Sequence, residues 1–213
     1  MEESADIIDL NFGCPAPKIT KICAGAALMG EPDNLISMCK EVVDRVNVPV
    51  TAKMRLGTGK VNFNAKEICQ ELENVGIQRL CVHGRTLKQR YSGEADWDYI
   101  SQVVDSVDLP VVANGDVVDS KTARDCLNNT QAAGLMIGRG AIGRPSVFAE
   151  IKVGLGWMER EDLPWITAYD GDWDSMSYVA QQFATRRWCW NRYIELARET
   201  TGLNLKSMRG HAV

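Results

Sequence analysis

The stretch PVVANGD, residues 110–116, decides the fold. A short apolar run ends abruptly in Asn114, Gly115 and Asp116. A run this short, bounded by turn chemistry, suits a strand better than a helix. Four other stretches have the same form: DIIDLNF (6–12), PVTAKMR (49–55), RLCVHGR (79–85) and AGLMIGRG (133–140). Most are too continuous for half-exposed antiparallel strands, and they suit parallel strands covered on both faces.

Working outward, helix-period segments separate these runs. DNLISMCKEVVDRV (33–46), NAKEICQELENVG (64–76), DYISQVVDSV (98–107) and DSKTARDCLNN (119–129) each carry one apolar stripe. Asp33, Asn64 and Asp119 or Ser120 suit N-caps, and Gly76 suits a C-cap. Alternating strand and helix predicts βα units and a parallel sheet. Two architectures satisfy that: a barrel, and an open doubly wound sheet. The strand ends favour the barrel. Asn11 closes the first run, Lys53 and Arg55 the second, His83 and Arg85 the third, Asn114 and Asp116 the fourth, and Arg139 the fifth. In a barrel the C-terminal ends of the strands ring the active site.

Composition excludes several classes. The chain has 213 residues, 45% hydrophobic and 24% charged, with a net charge of −4. It is neither disordered by composition nor basic enough to wrap nucleic acid over its whole surface. Seven cysteines in irregular spacing, with no CxxC, suggest a reduced cytoplasmic chain. Two histidines are too few for a Cys/His metal array, so no metal is expected. MEESADIIDL lacks the layout of a signal peptide, and no apolar run is long enough for a membrane span.

After Pro145 the pattern changes. Residues 159–174 hold six acidic residues against one basic, and residues 185–213 hold six Lys/Arg against two Asp/Glu. A boundary near 150 separates a barrel region, 1–150, from a C-terminal region, 151–213, whose stretch 178–202 reads as helix. Within it TRRWCWNRY (185–193) interleaves arginines with aromatics, a pattern suited to phosphate contact and base stacking. The same pattern also suits a helix that packs its tryptophans on the barrel.

Several residues carry chemistry. VVANGDV and MIGRGAIGRP are glycine-rich turns directly after strands, able to bring backbone amides close to an anion. Plain turn glycines are the alternative. In many barrels a phosphate sits between the loops after strands 7 and 8; counting back makes DIIDLNF strand 4. Lys53 at a strand end can neutralise an anion such as the N1–C2=O edge of a reduced flavin, or it can snorkel to solvent. His83 can hydrogen-bond a cofactor ring or phosphate, or serve structure alone. Cys14 sits in a loop between glycine and proline, where a thiol can donate a proton or attack. Cys39, Cys69 and Cys126 fall instead in helical patterns, where they act as small apolar residues.

Together, NFGCPAPK (11–18), GAALM (25–29), TAKMRLG (51–57), VHGRTLKQRYSGEADW (82–97), ANGDV (113–117) and IGRGAIGRP (137–145) resemble the tRNA-dihydrouridine synthase family, most closely its bacterial and archaeal branch. The resemblance covers about residues 6–150. It implies an α/β fold, a partial TIM (β/α)8 barrel of strands 4–8 equivalents followed by a small C-terminal helical domain that helps hold tRNA. It implies FMN as cofactor, NADPH as reductant and tRNA uridine as substrate. By the same resemblance Cys14 is the acid that protonates uracil C5 while reduced flavin delivers hydride to C6. Asn11 lies near the uracil, and Arg85 and Gln89 lie on the loop facing substrate. Lys53 and His83 contact the flavin ring. Asn114, Gly115 and Asp116, with Gly138 and Arg139, lie on the FMN phosphate side. Family members begin with a flavin-covering PMA-type strand and two further βα units, which do not appear here, and they continue past SMRGHAV. The chain therefore reads as an N-terminally truncated member. It is either a fragment of an active enzyme or a shortened protein that completes its barrel by association. The alternative to enzyme activity is an incompetent remnant that at most binds tRNA.

Overall fold

The computed structural model describes residues 5–59 and 63–199. Five strands are present: β1 (Ile8–Phe12), β2 (Val50–Arg55), β3 (Arg79–His83), β4 (Val111–Asn114) and β5 (Gly134–Met136). The eight helices among the described residues are α1 (Pro17–Thr20), α2 (Pro32–Val43), α3 (Ala65–Asn74), α4 (Trp97–Val104), α5 (Ser120–Thr130), α6 (Val147–Gly154), α7 (Pro164–Thr167) and α8 (Tyr178–Glu199). Local chemistry starts them where expected. Pro32 and Pro164 open their helices at positions where an amide would be unsatisfied anyway. The Asp96 carboxylate accepts from the Tyr99 amide at 2.8 Å to cap α4, and Asp119 accepts from the Thr122 amide at 2.8 Å beside α5. Asn64 precedes α3 but does not cap it with its side chain; its amide nitrogen donates to Met29 O at 2.6 Å instead. Asp33 lies in the first turn of α2 rather than at its cap.

All neighbouring strands are parallel, and their order is β1-β2-β3-β4-β5. That order separates the two candidate architectures. A doubly wound sheet reverses direction at a switch point. Here each crossover advances the same way, and right-handed connections, the rule for parallel strands, then collect the helices on one face, as in a (β/α)8 barrel. The fold is α/β, with five strands in barrel order followed by a helical region.

Register assigns the faces. One row runs Phe12, Met54, Val82, Ala113 and Leu135 across the sheet. This parity is apolar and packs on the helices: Met54 meets Cys69 of α3 with the two sulfurs 3.6 Å apart. The opposite parity is polar. Its middle row is Asn11, Lys53, Cys81, Val112 and Gly134, and its upper row is Arg55, His83, Asn114 and Met136. Asp9 and Asn11 on this face are exposed. The expectation of apolar cover on both faces therefore holds for one face only; the other alternates into polar side chains.

The chain divides into two compact units. The first holds residues up to Val117 together with Arg124–Ile137, and the second holds Val118–Ala123 together with residues from Gly138 onward. The core of the second unit is built on Leu163, Trp165 and Trp173, against which Trp188 of α8 packs edge-on, with the Trp165 and Trp188 ring centroids 6.1 Å apart.

Candidate active site

The polar ends of β1–β4 and the loops after them form one site in the first unit. Asn11 at the end of β1 accepts from the Gly13 amide through Oδ1 at 2.9 Å, closing a tight turn. A Cβ at Gly13 would lie 3.5 Å from both Asn11 Oδ1 and Lys53 Nζ, so Gly13 stands between the two groups. Cys14 follows, half-buried. Its carbonyl accepts from the Ala26 amide at 3.1 Å. Gly25 lies directly behind it with φ +58; a Cβ there would stand 2.8 Å from Cys14 O and 3.1 Å from Cys14 Cβ. Only glycine takes this backbone conformation cheaply while letting the cysteine approach so closely.

Lys53 is half-buried, and its burial lowers its pKa from the ordinary lysine value; nearby Arg55 acts in the same direction and Asp9 opposes. No hydrogen bond or ion pair engages its ammonium among the described residues. His83, 7% exposed, is pushed down to about 3, first by burial and then by the positive charges of Arg55, Lys53 and Arg85. It is a neutral imidazole at physiological pH. Arg85 Nη1 lies 3.5 Å from His83 Nε2. A guanidinium has no acceptor, so this approach favours the tautomer with Nε2 bare and the proton on Nδ1.

Arg85 itself is 2% exposed. It donates to Ser92 O at 3.3 Å, to Gly93 O at 2.5 Å and to the Asp116 carboxylate at 2.7 Å. Asp116, at φ +59, also accepts from the Ala95 amide at 2.7 Å. Arg85 and Asp116 thus staple the loop after β3 to the loop after β4. Gln89 accepts from the Thr86 amide at 2.8 Å through its side-chain oxygen, shaping the same loop. Asn114 donates to Met136 O at 2.8 Å, joining β4 to β5 beyond their backbone ladder. Gly115, φ +124, lies against Ala95 and His83, where a Cβ would meet Ala95 Cβ at 2.7 Å.

The structure thus brings Asn11, Cys14, Lys53, His83, Arg85, Gln89, Asn114, Gly115 and Asp116 into one constellation. Gly138 and Arg139 belong to the second unit, at the start of the short 3-10 turn Arg139–Ala141. Sequence reasoning gave no role to Arg55, Tyr91, Thr86 or Gly25. Parity was the available signal for Arg55, two residues beyond Lys53 and so on the same face.

All seven cysteines are free thiols. Burial raises Cys81 to about 11 and Cys126 to about 11, so neither offers a ready thiolate. Among the described residues no group of three or more His, Cys, Asp or Glu could hold a metal ion, and no helix is long and apolar enough to cross a membrane.

Could this donor set hold a flavin? A flavin needs a cation at its N1–C2=O edge, hydrogen-bonding groups along the ring, and room for a flat ligand. A half-buried ammonium without a hydrogen bond or ion pair among the described residues and a neutral imidazole two strand positions up and across supply the first two. The residues fit.

Fold and site together define a barrel-type α/β protein with a cationic, thiol-bearing site at the C-terminal ends of its strands. The chain belongs to the dihydrouridine synthase (Dus) family, whose profile matches residues 1–183. It is 48% identical over 160 residues to a probable tRNA-dihydrouridine synthase of Rhodobacter capsulatus, covering 75% of this chain and 49% of that protein. It is 48% identical over 152 residues to tRNA-dihydrouridine synthase B of Escherichia coli K12, covering 71% and 47%. A probable tRNA-dihydrouridine synthase of Rhizobium leguminosarum is 43% identical over 162 residues, covering 76% and 51%. The chain spans about half the length of the curated relatives it matches. Among solved structures, a nitroalkane oxidase from Streptomyces ansochromogenes overlays 63% of this chain and 33% of its own at 16% identity, with a TM-score of 0.37, too distant to bear on function.

Proposed function

We propose that this chain carries the uridine-reducing site of a tRNA-dihydrouridine synthase acting in the cytoplasm. Lys53 carries the reading: a half-buried ammonium, without a hydrogen bond or ion pair among the described residues, that stands across Gly13 from Asn11. Such a charge is costly unless a ligand completes it. FMN, were it held here and reduced by NADPH, would supply the hydride for uracil C6.

The residues of the chain do the rest. Lys53 and His83 would hold the flavin ring, the lysine as a cation and the neutral histidine as a hydrogen-bonding group. Cys14 holds the proton on Sγ and gives it to C5; the resulting thiolate recovers a proton from solvent. Asn11 orients the uracil from the rim. Gln89, whose side-chain oxygen is engaged by Thr86, presents its amide nitrogen on the substrate side. Arg85 and Asp116 fix the loops that carry these groups. In the second unit, Arg186, Trp188, Trp190 and Arg192 line a cavity of about 960 Å³ and offer phosphate contact and stacking to tRNA.

The test is flavin binding followed by turnover. Purified chain titrated with FMN should quench flavin fluorescence, and Lys53→Ala should weaken that quench. With unmodified tRNA and NADPH, Cys14→Ala should keep flavin and lose dihydrouridine formation. Protein that stays colourless with added FMN would favour the incompetent reading. Full turnover by Cys14→Ala would remove the acid assignment.

A further inference from the structure

Arg55 ends β2 and is buried, 2% exposed. Its guanidinium reaches two separate loops. Nε donates to Gly13 O at 2.8 Å, in the loop after β1. Nη1 donates to Thr86 O at 3.0 Å and to Arg90 O at 2.8 Å, in the loop after β3. The exposed ring of Tyr91 covers the same group, with Cζ 5.6 Å from the centroid.

Burying a guanidinium is expensive, and leucine would fill a structural position at a strand end without that cost. The arrangement makes sense as a strut. Gly13 O belongs to the peptide bond that leads into Cys14. That loop is held from one side by Asn11 and Ala26, and from the other by Arg55 alone among these contacts. The far end of the strut is the Thr86–Tyr91 turn, which carries Gln89. The rigid fork of arginine can hold three carbonyls in fixed mutual geometry; the single ammonium of lysine cannot.

We infer that Arg55 is a positioning residue: it sets the Cys14 loop in register with the Thr86–Tyr91 loop, so that a substrate seated on the second loop meets the thiol in place. The inference rests on the role proposed for Cys14, but its test does not use turnover. Cys14 and the exposed Cys23 fall in different tryptic peptides, so their iodoacetamide labelling can be compared in one sample. Cys23, outside these contacts, serves as the internal reference.

In Arg55→Lys, the Cys14:Cys23 labelling ratio should change by about tenfold, the factor for losing one hydrogen bond to a charged donor. Amide exchange should rise at Cys14 and within 86–91 but not in α3. Tyr91→Ala guards against misfolding, because that ring is 54% exposed. Its ring lies over the Arg55 guanidinium, so its removal should shift the same ratio in the same direction by a smaller factor. An unchanged ratio in both variants overturns the inference. So does a rise in exchange that spreads equally through α3, which would make Arg55 a general core residue. Failure here leaves the Cys14→Ala experiment standing, and the reverse also holds.

Discussion

Acidification should expose how strongly the site resists a further positive charge. His83 is surrounded by Lys53, Arg55 and Arg85, with Asp116 the opposing anion, and its pKa stands at about 3. At pH 5 an ordinary histidine, with a pKa near 6.5, is about 97% protonated, whereas one at 3 is about 1% protonated. The sign follows. The unfolded chain takes up this proton as pH falls below about 6.5, and the folded chain refuses it until about 3, so stability is lost across that window and is whole above it. Between pH 7 and 5 the loss from this one group is about 2 kcal/mol. The assay is a proton NMR titration of the two histidine Cε1–H resonances, assigned with His83→Gln. The His83 signal should stay flat to pH 5 in the neutral Nδ1–H tautomer. Replacing His83 by Gln should also flatten the dependence of stability on pH between 7 and 5. A His83 midpoint near 6.5, or an Nε2–H tautomer, would refute the electrostatic reading of the site.

Two other outcomes are expected. Gly25→Ala forces a side chain into φ +58 and against the Cys14 carbonyl, costing about 1–2 kcal/mol in backbone strain before any clash; the Ala26 amide, which donates to Cys14 O, should then exchange faster, and an unchanged rate would contradict the packing described. Trp165→Ala removes a ring from the core of the second unit and should cost about 3–5 kcal/mol there; hydrogen exchange should rise through α7 and α8 and stay unchanged in β2 and β3, and uniform destabilisation of both would be the contrary result.

Much of the architecture was written in local signals. The five strands and the helices between them announce themselves by run length and stripe, because each is a short segment whose neighbours in space are also its neighbours in sequence. The barrel, rather than a doubly wound sheet, was inferred from the polar strand ends such as Lys53 and His83, and strand order gives the stronger argument. What stayed hidden was long-range or steric. Continuous apolar spelling in runs such as VTAKM masked an alternating face, because Thr51 is buried by its hydrogen bond to Asp9. The role of Gly25 depends on a contact with Cys14, eleven positions away, that no local pattern encodes. Arg85 looked like a group facing substrate, yet its guanidinium is engaged by Ser92, Gly93 and Asp116. Arg55 looked like one more polar strand end, and only its three carbonyl partners set it apart.

The strand order has a further consequence for how the chain comes to exist. Each ladder, from β1·β2 to β4·β5, needs only the strand made just before it and the helix between. During vectorial synthesis every pairing can therefore close as soon as its second strand has emerged, with no strand waiting for a distant partner. The same property makes the sheet modular: a βα unit added before β1 or after β5 would extend an existing edge without reordering any ladder already formed.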